Sequence, residues 1–174
     1  MRSLEEEEIL RLAASLENVS EHALADAIVS AAKSRGVSLD SVSQFESISG
    51  KGVIGRAGNF EILLGNRMLM LDKGIDIKIA DGDLGRLESE GKTVMLLALE
   101  HKLLGLIAVR DTLKEFAKVT IDKLKGMGKE VIMITGDNKR TAQAIAKEVG
   151  IQTVLSEVLP EDKVDEIKKL QARG

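Results

Sequence analysis

VIMITGDNKRTAQAIAKEVGI, residues Val131–Ile151, is the stretch from which the rest of the chain is read. Val131–Ile134 is a short apolar run that stops at Thr135-Gly136-Asp137-Asn138. Beyond it Ala142, Ile145, Ala146 and Val149 recur at helical spacing, and Gly150 closes the pattern. The spacing predicts a buried strand, a tight polar turn and a helix capped by Asn138. Such a turn stands outside the carboxyl end of its strand, where open α/β sheets bind ligands. The helix N-terminus behind it favours anions.

Reading outward from there, Thr153–Leu155 is a second short strand, and Pro160 suits the first position of a further helix. On the other side Leu113, Phe116, Ala117, Ile121 and Leu124 predict a helix ending near Gly126–Gly128. Alternation of helix and strand is α/β grammar.

Upstream of Asp111 the grammar differs. Glu5–Glu8 suits the positive end of a helix whose stripe is Ile9, Leu12, Ala13 and Leu16. Ser20 is a candidate N-cap for a second helix, with Leu24, Ala27, Ile28 and Ala31 buried and Gly36 as its stop. Three β-prone stretches follow at Phe45–Ser49, Val53–Ala57 and Phe60–Leu64, separated by Gly or Asn turns. Short helices are expected at Asn66–Lys73 and Asp83–Glu90, then a hairpin of Thr93–Leu99 and Leu103–Val109. The fold class is therefore an α+β antiparallel sheet with helices on one face, followed by a smaller α/β part, with residues 1–110 and 111–174 as the two domains.

Composition narrows the function. Aromatic residues are 2% of the 174, with no Trp or Tyr, and the net charge is −3. A stacking platform or basic surface for nucleic acid is thereby disfavoured. Without Cys, disulfides and thiolate metal sites are excluded. No apolar run approaches the roughly 20 residues of a membrane helix, and the acidic start is not a signal peptide.

Two glycine motifs need weighing. Gly50-Lys-Gly-Val-Ile-Gly55 fits GxGxxG, but β-prone residues follow it where a dinucleotide fold needs a helix. It reads instead as a turn between strands, which still lets backbone approach a phosphate closely. Gly91-Lys92-Thr93 imitates the end of a P-loop, with helix before and strand after, the reverse of the real order. It reads as a helix C-cap followed by a strand.

Polar residues form two constellations. His22 lies roughly 160° around the helix from Leu24 at about 100° per residue, off the apolar stripe. A solvated histidine is the plain reading. Glu17, at the edge of the preceding stripe, is expected to be partly buried. Imidazole can stack on a purine, and a carboxylate can accept from its exocyclic amine. Thr135, Asp137 and Lys163 form the other set, in which a hydroxyl and an ammonium at strand ends can hold phosphoryl oxygens. No DKTGT-like run is present, so no aspartyl nucleophile can be named.

Taken together the chain resembles the cytoplasmic catalytic region of heavy-metal-transporting P-type ATPases, the copper-exporting branch especially. The resemblance rests on SEHALADAIV (Ser20–Val29), GKGVIG (Gly50–Gly55), GN (Gly65-Asn66), DTLK (Asp111–Lys114), MITGDN (Met133–Asn138) and EVLPEDK (Glu157–Lys163), in order and in register. It implies a nucleotide-binding domain before about residue 110 and part of a haloacid-dehalogenase-type, Rossmann-like phosphorylation domain after it. By position it places Glu17, His22, Gly50, Gly52, Val53, Gly65 and Asn66 at an ATP site. Thr135, Gly136 and Asp137 match the family's TGD motif, and Lys163 the lysine that steadies the transferred phosphoryl group.

The chain also departs from the pattern. Ala23 stands where the family has Pro, and the DKTGT and GDGxND motifs and membrane helices of such pumps are absent. The resemblance thus implies a piece of a larger pump that binds ATP and forms no phosphoenzyme alone. The Mg²⁺ carboxylates and the transported metal's ligands are expected elsewhere in the parent, with its phosphorylation, actuator and membrane domains as partners. An incompletely paired strand at Val131–Ile134 leads us to expect self-association or local disorder in residues 112–174. The competing readings are a free-standing, catalytically inactive nucleotide-binding regulatory or interaction domain, and a small phosphatase of the dehalogenase class.

Overall fold

The structure, a computed structural model, describes residues 2–20, 24–111, 113–159 and 161–172. The chain divides into two compact units, Met1–Leu84 with Val94–Val109, and Gly85–Thr93 with Arg110–Gly174.

In the first unit, helix α1 (Arg2–Glu17) and helix α2 (Ala25–Ser34) precede five strands. These are β1 (Val42–Ile48), β2 (Gly52–Ala57), β3 (Phe60–Gly65), β4 (Thr93–Leu99) and β5 (Lys102–Val109), and among the described residues they form one sheet in sequence order. The β1–β2, β2–β3 and β3–β4 pairs are antiparallel. The β4–β5 turn is Glu100-His101, both with positive φ, the two-residue form that matches strand twist. Helix α3 (Arg67–Asp72) follows β3, and helix α4 (Asp81–Ser89) precedes β4.

Leu12, Ala13, Leu16, Ile28, Ala32, Val53, Ile62, Leu64 and Leu97 share one core between the two N-terminal helices and the sheet. Burial on α1 is wider than a single stripe, since Leu10, Ala14, Ser15 and Glu17 are buried as well. α2 differs from the expectation. It starts at Ala25 with Leu24 before it and no side-chain cap, so Ser20 is not its N-cap. Its buried residues are Ala25, Ile28 and Ala32, while Ala27 is exposed.

The second unit carries helix α5 (Ala117–Gly126), strand β6 (Ile132–Ile134), helix α6 (Lys139–Val149), strand β7 (Thr153–Leu155) and helix α7 (Lys163–Gln171). β6 and β7 pair in parallel, with Ile132 opposite Thr153 and Ile134 opposite Leu155. Asn138 accepts from the amides of Arg140 and Thr141, and Gly150 closes α6 in the left-handed region at φ 82°. The α6 face is Thr141, Ala142, Ala146 and Val149. Two expectations need correction. β6 is half-buried, because one neighbouring strand covers it incompletely. α5 begins after Phe116 and buries none of its residues, so Leu113 and Phe116 are not a helical face turned inward. Pro160 lies outside the described residues.

Gly52 and Gly65 face each other at the end of the β2–β3 ladder. A Cβ on Gly52 would lie 2.3 Å from the Leu64 carbonyl oxygen, and one on Gly65 would lie 2.3 Å from that of Lys51. Gly52→Ala should therefore cost about 2–4 kcal/mol in urea unfolding, because backbone cannot yield as a flexible side chain can. Gly74→Ala, at φ +68° with open space around it, should cost only about 1 kcal/mol.

Candidate functional site

The residues expected at a nucleotide site are positioned by the β2–β3 end of the first unit. The Gly50–Gly52 turn needs glycine at both ends, with φ of 68° and 145°. Asn66 locks it. Its Nδ2 donates to the Gly50 carbonyl at 2.8 Å, and its own amide donates to the Lys51 carbonyl at 2.8 Å. Its Oδ1 accepts from the Leu69 amide at 3.2 Å and so caps α3. Val53, 3% exposed, sits opposite Leu64.

The structure thus brings Gly50, Gly52, Val53, Gly65 and Asn66 together. Lys51 extends from the middle of the turn, with its Nζ 2.6 Å from Asp72 Oδ2. Both side chains are partly exposed, at 31% and 53%, and pairs of this kind contribute about 0–1 kcal/mol.

Glu17 ends α1 and is 1% exposed, with both carboxylate oxygens out of reach of solvent. It is buried more completely than the sequence pattern implied. Leu16 beside it shares the core with Val53. His22, the other half of that expectation, lies outside the described residues.

In the second unit the Thr135–Asp137 turn is tied down on every side. Asp137 Oδ1 accepts from the Thr93 hydroxyl and Oδ2 from the Thr135 hydroxyl, each at 2.8 Å. The Asp137 amide donates to Thr135 Oγ at 3.1 Å. The turn is also laced to the segment after β7. The Thr135 amide donates to the Leu155 carbonyl, and the amides of Glu157 and Val158 donate to the carbonyls of Asp137 and Thr135. Glu157 adopts φ 59°, unusual for a residue with a Cβ, to make its contact.

Lys163 opens α7 and is exposed. No hydrogen bond to Lys163 joins it to the turn among the described residues. A shallow groove bordered by Glu157, Asp162, Glu166 and Lys169 lies beside α7, and the Thr135–Asp137 turn forms none of its wall. Beside it the Lys169 ammonium donates a hydrogen bond to the Glu166 carboxylate, which holds the lysine's pKa above its usual range.

Thr93 is the residue sequence reasoning missed. It stands in Gly91-Lys92-Thr93, and the structure bears out a C-cap glycine there, with φ 73° at Gly91. The same segment packs on α6. Thr141, fully buried, donates to the Lys92 carbonyl at 2.8 Å, and the buried Glu88 carboxylate meets Arg140 at 3.5 Å. A hydrogen bond from Lys92 holds the exposed Glu90 carboxyl below its usual range, with Arg86 adding to it. No sequence signal marked Thr93, because its partner Asp137 lies 44 residues away.

Among the described residues no group of three or more His, Asp or Glu is arranged to hold a metal. Mg²⁺ prefers carboxylate and water oxygens in near-octahedral geometry, and Asp137 already accepts two hydroxyl protons. These residues do not assemble a Mg²⁺ site.

Residues 3–174 match the haloacid dehalogenase-like hydrolases. The chain belongs to that family. The chain is 48% identical over 170 residues to a copper-exporting P-type ATPase of Staphylococcus aureus (strain bovine RF122 / ET3-1), covering 97% of this chain and 21% of the relative. It spans about a fifth of the length of the curated relatives it matches. Among solved structures it is similar to the catalytic domain of the CPx-ATPase CopB-B, at 28% identity and a TM-score of 0.67, over 97% of this chain and 58% of that one. It is also similar to a zinc-transporting PIB-type ATPase in an E2.Pi state, at 32% identity and a TM-score of 0.62, over 97% of this chain and 27% of that one. The motif-by-motif resemblance to heavy-metal P-type ATPases thus extends over nearly the whole chain.

Thr93→Val should remove one of the two hydroxyl donors from a partly buried carboxylate, at a cost of about 1–2 kcal/mol. Urea unfolding, together with faster amide exchange at Gly136–Asn138, reads the loss. Thr93→Ser should restore most of it.

Proposed function

We propose that the chain binds ATP and serves a P-type heavy-metal ATPase, with copper as the cargo. The observation that carries this reading is the side-chain-free meeting of Gly52 and Gly65, bolted to the Gly50–Gly52 turn by Asn66. The facing strand's backbone fills the room a Cβ would take at each of these glycines, so their meeting fixes the Gly50–Gly52 turn, whose backbone can then approach a phosphate closely. The buried Glu17 carboxylate is an acceptor for the exocyclic amine of adenine. Guanine presents a carbonyl oxygen at that position and would be repelled. His22 is assigned to stack on the purine. The similar catalytic domain of CopB-B changes conformation upon nucleotide binding, which supports the reading that this chain binds a nucleotide.

On this reading residues 1–110 act as the nucleotide-binding domain and 111–174 as part of the phosphorylation domain. Thr135 and Lys163 would supply a hydroxyl and an ammonium to phosphoryl oxygens, with Asp137 orienting Thr135 through the 2.8 Å hydrogen bond. In the whole pump the γ-phosphoryl group passes to an aspartate, and electrostatic positioning does most of the work in such transfers. Mg²⁺ use is proposed for the whole pump. The pump's other domains are the partners, and the cytoplasmic side of the membrane is the location. None of the described helices is long and apolar enough to cross a membrane.

Titration with ATP, ADP and GTP followed by NMR tests the site. ATP and ADP should shift Glu17, His22 and Gly50–Val53, and GTP should not. His22→Ala should weaken ATP binding by about 1–2 kcal/mol, the range for an aromatic ring stacked on a base. Unchanged affinity in that variant would remove histidine from the site.

A further inference from the structure

Resting on the nucleotide-site reading above, we propose that Lys51 is a phosphate-contacting, specificity-determining residue of that site, and that Asp72 competes with the nucleotide for it. Three observations converge on this side chain. First, the backbone that carries it is fixed. The Lys51 amide donates to the Ile48 carbonyl at 3.0 Å, the Lys51 carbonyl accepts from the Asn66 amide, and the Gly50 carbonyl accepts from Asn66 Nδ2. The turn's two carbonyls are thereby drawn toward Asn66, so its electronegative groups are already spent. The side chain is the part left able to move.

Second, its ion pair with Asp72 is easily exchanged. The ammonium and the Asp72 carboxylate are 2.6 Å apart but both are partly open to water. Asp72 is the last residue of α3, where the helix dipole disfavours negative charge, and α3 has no basic residue in its last turn. The ammonium is therefore Asp72's local counter-charge, held on a flexible four-carbon stem. A polyphosphate offers the same ammonium several charges in place of one.

Third, the chain needs such a cation. Its net charge is −3, and ATP is itself strongly anionic. Attraction at close range has to offset that repulsion, and Lys51 is the charged residue of the glycine turn. Asp72 then sets a threshold. A nucleoside without phosphates leaves the pair intact, whereas a nucleoside triphosphate breaks it and takes the ammonium.

The test compares ATP with adenosine by calorimetry and NMR on the 174-residue chain. Lys51→Ala should weaken ATP binding about five- to tenfold and leave adenosine unchanged, the scale of one partly screened charge contact. Lys51→Arg should stay within about twofold of the parent for ATP, since the charge is kept. Asp72→Asn should tighten ATP binding about two- to fivefold without affecting adenosine, because the competitor is gone. Asp72→Asn is expected to fold normally, as it removes an unfavourable charge from a helix end, so it answers the question even where Lys51→Ala is perturbed. Equal ATP-to-adenosine ratios in the parent, Lys51→Ala and Asp72→Asn would overturn the proposal while leaving the nucleotide site standing. Failure of both ligands to shift Gly50–Val53 would overturn the site itself, and the role of Lys51 with it.

Discussion

Two strands touch without side chains between them, and the first unit is arranged around that contact. The Cα atoms of Gly52 and Gly65 come so close that a single added carbon on either would overlap a carbonyl oxygen. The close approach draws Asn66 against the preceding turn, where one side chain satisfies the Gly50 carbonyl and caps α3 together. Local hydrogen bonds then convert a tight crossing into a defined backbone surface. Helix α1 ends at the buried Glu17, and its Leu16 shares the apolar core with Val53. The buried core and the glycine contact both supply rigidity.

The second unit solves a related problem with polar atoms in place of missing ones. A short parallel pair of strands cannot hold its own connecting turn by packing, since β6 and β7 are only half-buried. The turn is instead held by its hydrogen bonds. Asp137 accepts from two threonine hydroxyls, and its carbonyl and that of Thr135 accept from the segment after β7. Each bond is modest alone. Several on one three-residue turn leave it few alternative conformations.

What could be read from the sequence was local. Asn138 and Gly150 announce the two ends of α6, and the period of Ala142, Ala146 and Val149 shows its inner face, because caps and helical spacing are set by neighbours in the chain. The strands at Phe60–Leu64 and Thr153–Leu155 were legible for the same reason, and lie within a residue of the observed bounds. The failures are long-range or marginal. Leu24 rather than Ser20 precedes α2, and α5 has an apolar pattern with nothing to bury it. The pairing of Thr93 with Asp137 spans 44 residues, and no periodicity reports a hydroxyl meeting a carboxylate across that distance. Glycines 50, 52 and 65 were recognisable as a motif, but the reason for two of them, a clash of backbone with backbone, is visible only once the strands are paired.

The path of Gly85–Thr93 bears on how this protein can be divided. These nine residues interrupt the first unit in sequence yet fold with the second. They bring with them a buried carboxylate at Glu88 and a backbone carbonyl at Lys92, whose counterparts Arg140 and Thr141 come much later in the chain. A gene truncated at Val109 would keep every strand of the antiparallel sheet and still expose an acidic group and an orphaned acceptor to solvent. Units that look like beads on a string are here interleaved, and a clean dissection has to redesign that short excursion as well as choose an end point.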